Sequence, residues 1–418
     1  MIRKRLTAHL PQKDGVVSVK GHRRPELQVA AILSACLRQP GLSEPPPTLI
    51  EAQDSDTRRM IVSGAIRHRV AGAVHLQTRN LGWSDADGAA DLRDAYSSTI
   101  SNHMWMTREL VMLKQLLDQT GVDWLTFKGP ALVASAYPRP DVRSYGDLDL
   151  LVAPAALDVV LDALHGAGAT IHVPSWDFLR ETEQAQLPIL MPRGVVLDLH
   201  WHVSNGPQSR LQFPMSTARL FAQSTDIAIG DLVVRGLDRA QTLIHLCLHG
   251  AMSGGERLVW VLDVHLAANH IQDWEAVIFA AHESRTGLVV AIMLGRAMHL
   301  LGTDLPTGLL DDLSGARTWR ATVRALDRLR PPQAHVLGTG RMIFTSTRHT
   351  TQDSLRHLLS AALKEAVVPL FTTAEHPWRV ALRGSSSLRT KRQSVQELPL
   401  VSNDPGRTRY LAWAVAQG

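Results

Sequence analysis

The stretch Tyr145-Gly146-Asp147-Leu148-Asp149-Leu150-Leu151-Val152 places two carboxylates one residue apart at the start of an apolar run. Because side chains alternate across a β-strand, Asp147 and Asp149 project from one face, while Leu148 and Leu150 pack into the core. Carboxylates held side by side repel each other and raise each other's pKa unless a cation compensates them. Mg²⁺ with oxygen ligands is the usual cation for such a pair. The alternative for this motif alone is a solvated Asp-x-Asp at a strand edge.

A second apolar run, Val195 to Val203, adds a third carboxylate, Asp198. A carboxylate on a buried strand is costly without a partner, so we expect this strand beside the first, with Asp198 joining the Asp-x-Asp pair. Three carboxylates can hold two divalent ions about 3.5 to 4 Å apart, an arrangement that serves phosphoryl or nucleotidyl transfer. The alternative is a strand-end aspartate hydrogen-bonded to a loop. His200, on the same strand face, is expected to support the carboxylates or contact substrate, or else to be a structural histidine.

Phosphate-binding candidates flank the carboxylates. The run Leu125-Thr126-Phe127 predicts a strand that ends in Lys128-Gly129-Pro130 and enters a helix, where backbone amides and the helix dipole can receive a phosphate. Gly129 permits close backbone approach, and Lys128 supplies charge. Gly146 and Arg143, just before the Asp-x-Asp pair, are further candidates, although Arg143 also fits an exposed loop residue. Arg257, after a Ser-Gly-Gly turn, either reaches a triphosphate or acceptor or is a surface residue at a helix start.

Hydrophobic periodicity predicts an α+β fold, in which a small mixed-sheet core is flanked by N-terminal and C-terminal helical regions. Short runs rich in β-formers at 122–127, 147–152 and 195–203 alternate with helical patterns at 130–137 and 154–166. Helical spacing dominates before and after this unit, at 26–37, 57–76, 92–117, 240–249, 257–270, 274–281, 288–301 and 353–367. The predicted boundaries are a basic flexible tail 1–24, a helical region 25–120, a core 121–236, a helical domain 237–375 and a basic flexible tail 376–418.

Composition narrows the classes of protein. The 44 basic and 39 acidic residues give a net charge of +5, but the two tails carry +6 and +5 and leave the body at −6. We therefore do not expect the body to bind nucleic acid, whereas the tails keep that option open. The 2 cysteines, Cys36 and Cys247, do not form a disulfide framework. The longest apolar run, 287–302, is too short and too charged to span a membrane, and the basic N-terminus lacks an apolar signal region. A cytoplasmic location fits best.

The motifs together resemble a known family. Phe127-Lys128-Gly129, the helix ending at Tyr137, the run from Arg143 to Val152, and Leu197-Asp198-Leu199-His200-Trp201 resemble the uncharacterised nucleotidyltransferase family of the DNA polymerase β-like superfamily. The resemblance continues through the helical segments 243–250 and 257–263 and covers roughly residues 92–305. It implies a nucleotidyltransferase core in which Asp147, Asp149 and Asp198 bind the metal and Lys128-Gly129 replaces the usual Gly-Ser or Gly-Gly phosphate turn. Pro130 stands where a serine hydroxyl would touch the triphosphate.

Three functions follow as hypotheses. The first is transfer of a nucleoside monophosphate from an NTP, with ATP among the candidates, to a small-molecule, peptide or sugar acceptor, using Mg²⁺ or Mn²⁺ and releasing pyrophosphate. The resembled family occurs in biosynthetic settings, so partner proteins of a pathway are also expected. The second is a non-catalytic binding or scaffold protein of the same fold. The third is a transition-metal hydrolase built from His200, His202, His245, His249 and Asp263.

Overall fold

The computed structural model of the protein describes residues 25–38, 53–173, 175–329, 331, 334, 397–400 and 403–417. Three of the sequence-based predictions lie outside these residues, namely the basic tail 1–24, the helix at 353–367 and the first part of the tail 376–418. The fold is described below for the remaining parts of the chain.

The N-terminal region is helical, as predicted. It contains α1 (Pro25–Leu37), α2 (Ser55–Arg67), α3 (Ala71–Thr78), a 3₁₀ turn (Asp85–Asp87) and the long α4 (Ala89–Asp118). Asp54 caps α2, since its carboxylate accepts a hydrogen bond from the Thr57 amide. The single helix expected at 57–76 is instead two helices, because the chain turns sharply at Arg69, which adopts a φ of 58°.

The described residues form one eight-stranded mixed sheet, so the predicted α+β fold is confirmed. Its strands are β1 (Trp124–Thr126), β2 (Asp147–Val152), β3 (Thr170–His172), β4 (Gln186–Leu190), β5 (Val196–His200), β6 (Thr225–Ile229), β7 (Leu232–Gly236) and β8 (Glu397–Pro399). The order across the sheet is β6-β7-β1-β2-β5-β4-β3-β8. β2 pairs in parallel with β5, and β1 in parallel with β7, while the other pairs are antiparallel.

Helices alternate with the strands of the sheet along the chain and continue after the last strand of the predicted core. Those within the predicted core are α5 (Gly129–Ala136), a 3₁₀ turn (Pro154–Ala156), α6 (Leu157–Gly166), α7 (Trp176–Glu181), α8 (Pro207–Gln212) and α9 (Thr217–Ala222). The helices that follow are α10 (Arg239–Met252), α11 (Leu258–Ala268), α12 (Trp274–Glu283), α13 (Gly287–Leu301), α14 (Leu309–Leu313) and α15 (Arg317–Leu329). Within the described part of the chain, no helix combines the length and apolarity needed to cross a bilayer.

One hydrophobic core runs through the helical regions and the sheet. Buried side chains of α1, the central strands, α10 to α13 and the C-terminal helix belong to a single contiguous cluster. Val29 of α1, Leu150 of β2 and Leu262 of α11 are each fully buried within it. The boundaries at residues 120 and 236 therefore do not separate independent cores, and they stay a prediction about chain organisation.

The C-terminal end of the chain differs from the flexible tail that its composition suggested. β8 extends the sheet beside β3, and α16 (Pro405–Gln417) packs on α7. Arg407 of α16 is fully buried and lies 2.6 and 2.7 Å from carboxylate oxygens of Asp158 and Asp162. The prediction is therefore wrong for residues 397–400 and 403–417, because part of the tail's positive charge pairs with the acidic body.

Candidate active site

Two neighbouring parallel strands bring the predicted carboxylates together. In the β2–β5 register Asp149 lies directly opposite Asp198, and Asp147 lies opposite Val196. The expected adjacency of these strands is confirmed. Side-chain alternation places Asp147 and Asp149 on the same face of β2, so all three carboxylates of the sequence prediction meet at one region of the sheet.

Asp149 is the most buried of the three carboxylates, at 1% exposure. Its Oδ1 atom lies 2.7 Å from the Lys128 ammonium and 3.3 Å from Nε2 of His200. Burial by itself would raise the pKa of Asp149, but Lys128 and His200 outweigh it and hold the pKa well below its usual value. The second oxygen, Oδ2, is buried and has no hydrogen-bond partner among the described residues. A buried carboxylate oxygen of this kind is expected to bind something.

The neighbouring groups provide the ligands for a divalent ion. Ligand atoms of Asp149, Asp198 and His200 all lie within 4.8 Å of one another. Burial, followed by the charges of Asp147 and Asp149, raises the pKa of Asp198 to about 8. A bound cation would remove this repulsion, and carboxylate oxygens suit Mg²⁺ or Mn²⁺. The residues therefore fit a divalent metal.

The group of possible metal ligands differs in one member from the three aspartates that the sequence predicted, since it contains His200 and not Asp147. Asp147 is absent from the compact group of ligand atoms, although its charge and that of Asp149 act on each other. His200 belongs to that group, and its Nδ1 atom is buried without a partner among the described residues. The imidazole is therefore a candidate ligand of the ion itself, whereas the sequence predicted that it would support the carboxylates or contact substrate.

The turn after β1 places Lys128 and Gly129 against the carboxylates. Gly129 begins α5 with a φ of +55°, in the left-handed region that favours glycine. A Cβ at this position would lie 3.4 Å from the backbone oxygen of Asp147. This close approach between the turn and the start of β2 lets the side chain of the preceding Lys128 reach Asp149.

Arg143 lies inside the protein, so the alternative of an exposed loop residue is wrong. Its Nε and Nη2 atoms donate to the two carboxylate oxygens of Asp263 on α11, at 2.7 and 3.0 Å. Tyr137 also donates to Asp263. The remaining guanidinium nitrogen, Nη1, is buried without a hydrogen-bond partner among the described residues.

Histidines of α10 lie behind the site, which sequence reasoning had connected only with the hydrolase hypothesis. Phe127 stacks edge-on against His200 and His245, with ring centroids 5.2 and 4.9 Å apart, and His249 lies 6.1 Å from His245. Burial, followed by the charge of Lys128, lowers the pKa of His245 far below its usual value and that of His249 to about 3. Both ring nitrogens of His245 lack a partner among the described residues. These imidazoles are neutral at physiological pH.

The histidines do not form the metal centre of the hydrolase hypothesis. Among the described residues, the group that satisfies the geometry of an ion site contains neither His245 nor His249. Asp263 is occupied by Arg143 and Tyr137, and Nδ1 of His202 accepts a hydrogen bond from the Ser204 amide. The shared metal site expected from this set is therefore not formed.

The last two candidates, Gly146 and Arg257, lie on different parts of the chain. Gly146 is half-buried directly before Asp147, and α4 fixes the preceding residue, because Asn102 donates to the backbone oxygen of Tyr145. Arg257 is the N-cap residue of α11, with its guanidinium 5.5 Å from the centre of the Trp260 ring. Trp260 in turn contacts His249, with ring centroids 6.3 Å apart.

A comparison with known protein families finds a match for the part of the chain that contains this site. A family model described as an uncharacterised nucleotidyltransferase matches residues 54–302, which include every candidate site residue. The chain belongs to this family. Membership supports transfer of a nucleoside monophosphate from an NTP as the general activity, and the Asp149, Asp198 and His200 group is compatible with the divalent metal such enzymes use. Comparison with curated proteins gave no match.

Proposed function

We propose that this nucleotidyltransferase uses Mg²⁺ to transfer a nucleoside monophosphate from an NTP to a small-molecule, peptide or sugar acceptor. The observation that carries the proposal is the opposition of Asp149 and Asp198 across β2 and β5, next to Asp147, with Oδ2 of Asp149 buried and without a partner among the described residues. Mn²⁺ is the alternative ion, because the imidazole of His200 lies among the carboxylates.

In the proposed reaction an acceptor oxygen forms a bond to the α-phosphorus of the NTP. The bond from that phosphorus to the oxygen bridging to the β-phosphate breaks, and its electron pair leaves with pyrophosphate. Asp198 orients the acceptor and takes its proton on a carboxylate oxygen. Asp149, Asp198 and His200, with Asp147 beside them, would hold a divalent ion, and that ion would neutralise the negative phosphate oxygens.

In this proposal three cationic residues, Lys128, Arg143 and Arg257, bind the phosphates of the NTP. Lys128 holds Asp149 at 2.7 Å, and it can exchange this carboxylate for a phosphate oxygen once a metal satisfies Asp149. Gly129 and Gly146 keep the backbone beside the carboxylates free of side chains. Arg143 offers Nη1, its one nitrogen without a partner among the described residues, and Arg257 contributes from the start of α11.

The test uses the full-length protein with each of the four NTPs labelled at the α-phosphate, Mg²⁺ or Mn²⁺, and separate pools of sugars, peptides and small alcohols. We expect pyrophosphate release together with transfer of the α-label to an acceptor. Asp149→Asn should lose this activity, whereas Asp226→Asn, which alters an exposed aspartate of β6, should keep it. Formation of a nucleoside diphosphate and inorganic phosphate would instead show attack at the γ-phosphorus and contradict the proposal. Binding of Mg-NTP without release of pyrophosphate in any pool would favour the non-catalytic alternative.

A further inference from the structure

The last helices of the C-terminal region border a cavity whose lining includes none of the candidate active-site residues. The cavity lies between α13, α14 and α15 and has a volume of about 810 Å³. Cavities that bind small molecules usually measure about 300 to 1,000 Å³. Much of this lining comes after residue 302, where the match to the nucleotidyltransferase family ends. Membership of the family therefore does not account for the cavity.

The contacts between α13 and α15 are few and leave this space between the helices. Leu288 and Ile292 of α13 pack with Val323 of α15 in a small hydrophobic cluster that is separate from the main core. Further along, the buried Arg296 donates from Nε and Nη2 to the two carboxylate oxygens of Asp327, at 2.7 and 2.8 Å. α15 is thus attached by a small cluster and an ion pair, without the continuous packing of the core helices.

The lining of the cavity is largely apolar. It includes Ile292 and Leu300 of α13, Leu305 in the following loop, and Leu310 of α14. Gly295 of α13 adds to the space, because a Cβ at this position would meet only the Cδ1 atom of Leu310, at 3.9 Å. An apolar molecule that enters this cavity would release water from these surfaces, which favours binding.

The aspartates of the described lining are already paired. Asp327 accepts the hydrogen bonds of Arg296, and Asp311 of α14 lies 2.9 Å from a guanidinium nitrogen of Arg317. Asp311 also pairs with Arg320. These carboxylates therefore leave no negative charge for the other arginines of the lining.

Arg324 and Arg328 are those other arginines. They are exposed and four residues apart, so they share a face of α15. Neither has a hydrogen bond or an ion pair within the described part of the chain. Burial, followed by the charges of these two arginines, lowers the pKa of His299 on α13, which is therefore neutral at physiological pH. The sequence that follows α15, residues 335–396, has more basic than acidic residues and does not supply the missing negative charge.

We infer that this cavity binds a small molecule with an apolar body and one anionic head group, a carboxylate or a phosphate. The apolar body fills the space beside Gly295, and the head group binds to Arg324 and Arg328 at the exposed edge. A guanidinium suits either head group, because its planar fork of donors can bind two oxygens at once. The inference does not depend on the proposed nucleotidyl transfer, since it uses no residue of the candidate active site.

The test is a calorimetric titration of the full-length protein with decanoate and with decyl phosphate, below the concentrations at which either forms micelles. Binding of either probe, at one molecule per protein, supports the inference, and the stronger of the two identifies the preferred head group. Decanol has the same apolar chain without the charge. It should bind about ten-fold more weakly, as the loss of charge-assisted hydrogen bonds implies.

Variants test the two parts of the site separately. Arg324→Gln and Arg328→Gln should each weaken the binding of the anionic probes by about five- to ten-fold. Their matched control is Arg108→Gln, the same change at an exposed arginine of α4, which should bind like the wild type. Gly295→Leu should abolish binding because its side chain occupies the cavity, whereas Gly295→Ala leaves most of the space open and should keep it.

Several results would overturn the inference. Decanol binding as tightly as decanoate, or unchanged binding in both arginine variants, would exclude a site for an anionic head group. Unchanged binding in Gly295→Leu would place the probe outside the cavity, and no saturable binding of either anionic probe by the wild type would mean that the cavity has no such ligand. If Gly295→Leu does not fold, the arginine variants decide alone, because substitutions at exposed positions of this kind alter stability little.

Discussion

Asp149 and Asp263 are both almost completely buried, yet their surroundings differ in one respect. Asp263 has hydrogen-bond donors of its own, since Arg143 and Tyr137 donate to its two oxygens. Asp149 shares one lysine with Asp147 and Asp198, and its Oδ2 atom has no partner among the described residues. A buried carboxylate with its own cation is a stabilising contact within the protein. A group of carboxylates with too few cations indicates a site for a ligand that supplies the missing charge.

The largest expected effect is on activity, at Asp149. Asp149→Asn keeps the shape of the side chain but removes the charge that a metal needs, so nucleotidyl transfer should fall by about 10³-fold or more, the order lost with a charge-stabilising group in phosphoryl transfer. Mn²⁺ binding, followed by electron paramagnetic resonance, should be lost in parallel. Transfer at the wild-type rate would remove Asp149 from the metal site.

The corresponding change at the other carboxylate should affect stability instead. Arg143→Met leaves Asp263 buried without its cation, which typically costs about 3 to 5 kcal/mol. The free energy of unfolding from urea titration measures this loss. The folded fraction should still bind Mn²⁺, because Asp149, Asp198 and His200 are untouched. Loss of Mn²⁺ binding without loss of stability would reverse the roles given to the two clusters.

The excess of carboxylates predicts a dependence of stability on pH in the presence of a chelator. In the folded protein the pKa of Asp198 is raised to about 8, whereas an aspartate in the unfolded chain has its ordinary pKa of about 4. The folded state therefore holds a proton that the unfolded state has lost, and this contribution to stability disappears as the pH rises from about 4 to about 8. Between pH 6.5 and 8, wild type should lose up to about 1.4 kcal/mol per pH unit relative to Asp198→Asn.

The same titration provides its own control. The histidines of α10 are present in both proteins, and their lowered pKa values matter only below about pH 6.5. Added Mg²⁺ should stabilise the wild type more at pH 8 than at pH 6.5, because the ion binds the deprotonated carboxylates. Parallel stability curves for wild type and Asp198→Asn would show that the three carboxylates do not compete for protons.

The smallest effect is expected from Tyr137→Phe. This change removes one of the hydrogen bonds to Asp263 and leaves the bidentate contact of Arg143 in place, so the expected loss of stability is about 1.5 kcal/mol. Urea unfolding measures it, and unchanged Mn²⁺ binding is the control. A loss as large as that of Arg143→Met would mean that the tyrosine, and not the arginine, is the main partner of Asp263.

Local patterns in the sequence predicted the central elements well. Strand alternation placed Asp147 and Asp149 on one face, and the Lys128-Gly129-Pro130 turn was correctly put at the start of a helix. Other strands were not predicted, because their sequences lack a clear strand pattern. β4 contains Pro188, and the first residues of β6 are exposed. β8 and α16 were missed because their basic, serine-rich surroundings suggested a flexible tail.

The sequence by itself determined which carboxylates share a strand face, where the phosphate turn begins a helix, and the family to which the chain belongs. These features depend on backbone periodicity and turn chemistry, which act over a few residues. Only the tertiary structure decided that Asp149 lies opposite Asp198 and that Arg143 is occupied by Asp263. Such contacts join segments far apart in the chain, and they are set by strand register and by the packing of the shared core, which no short window of sequence contains.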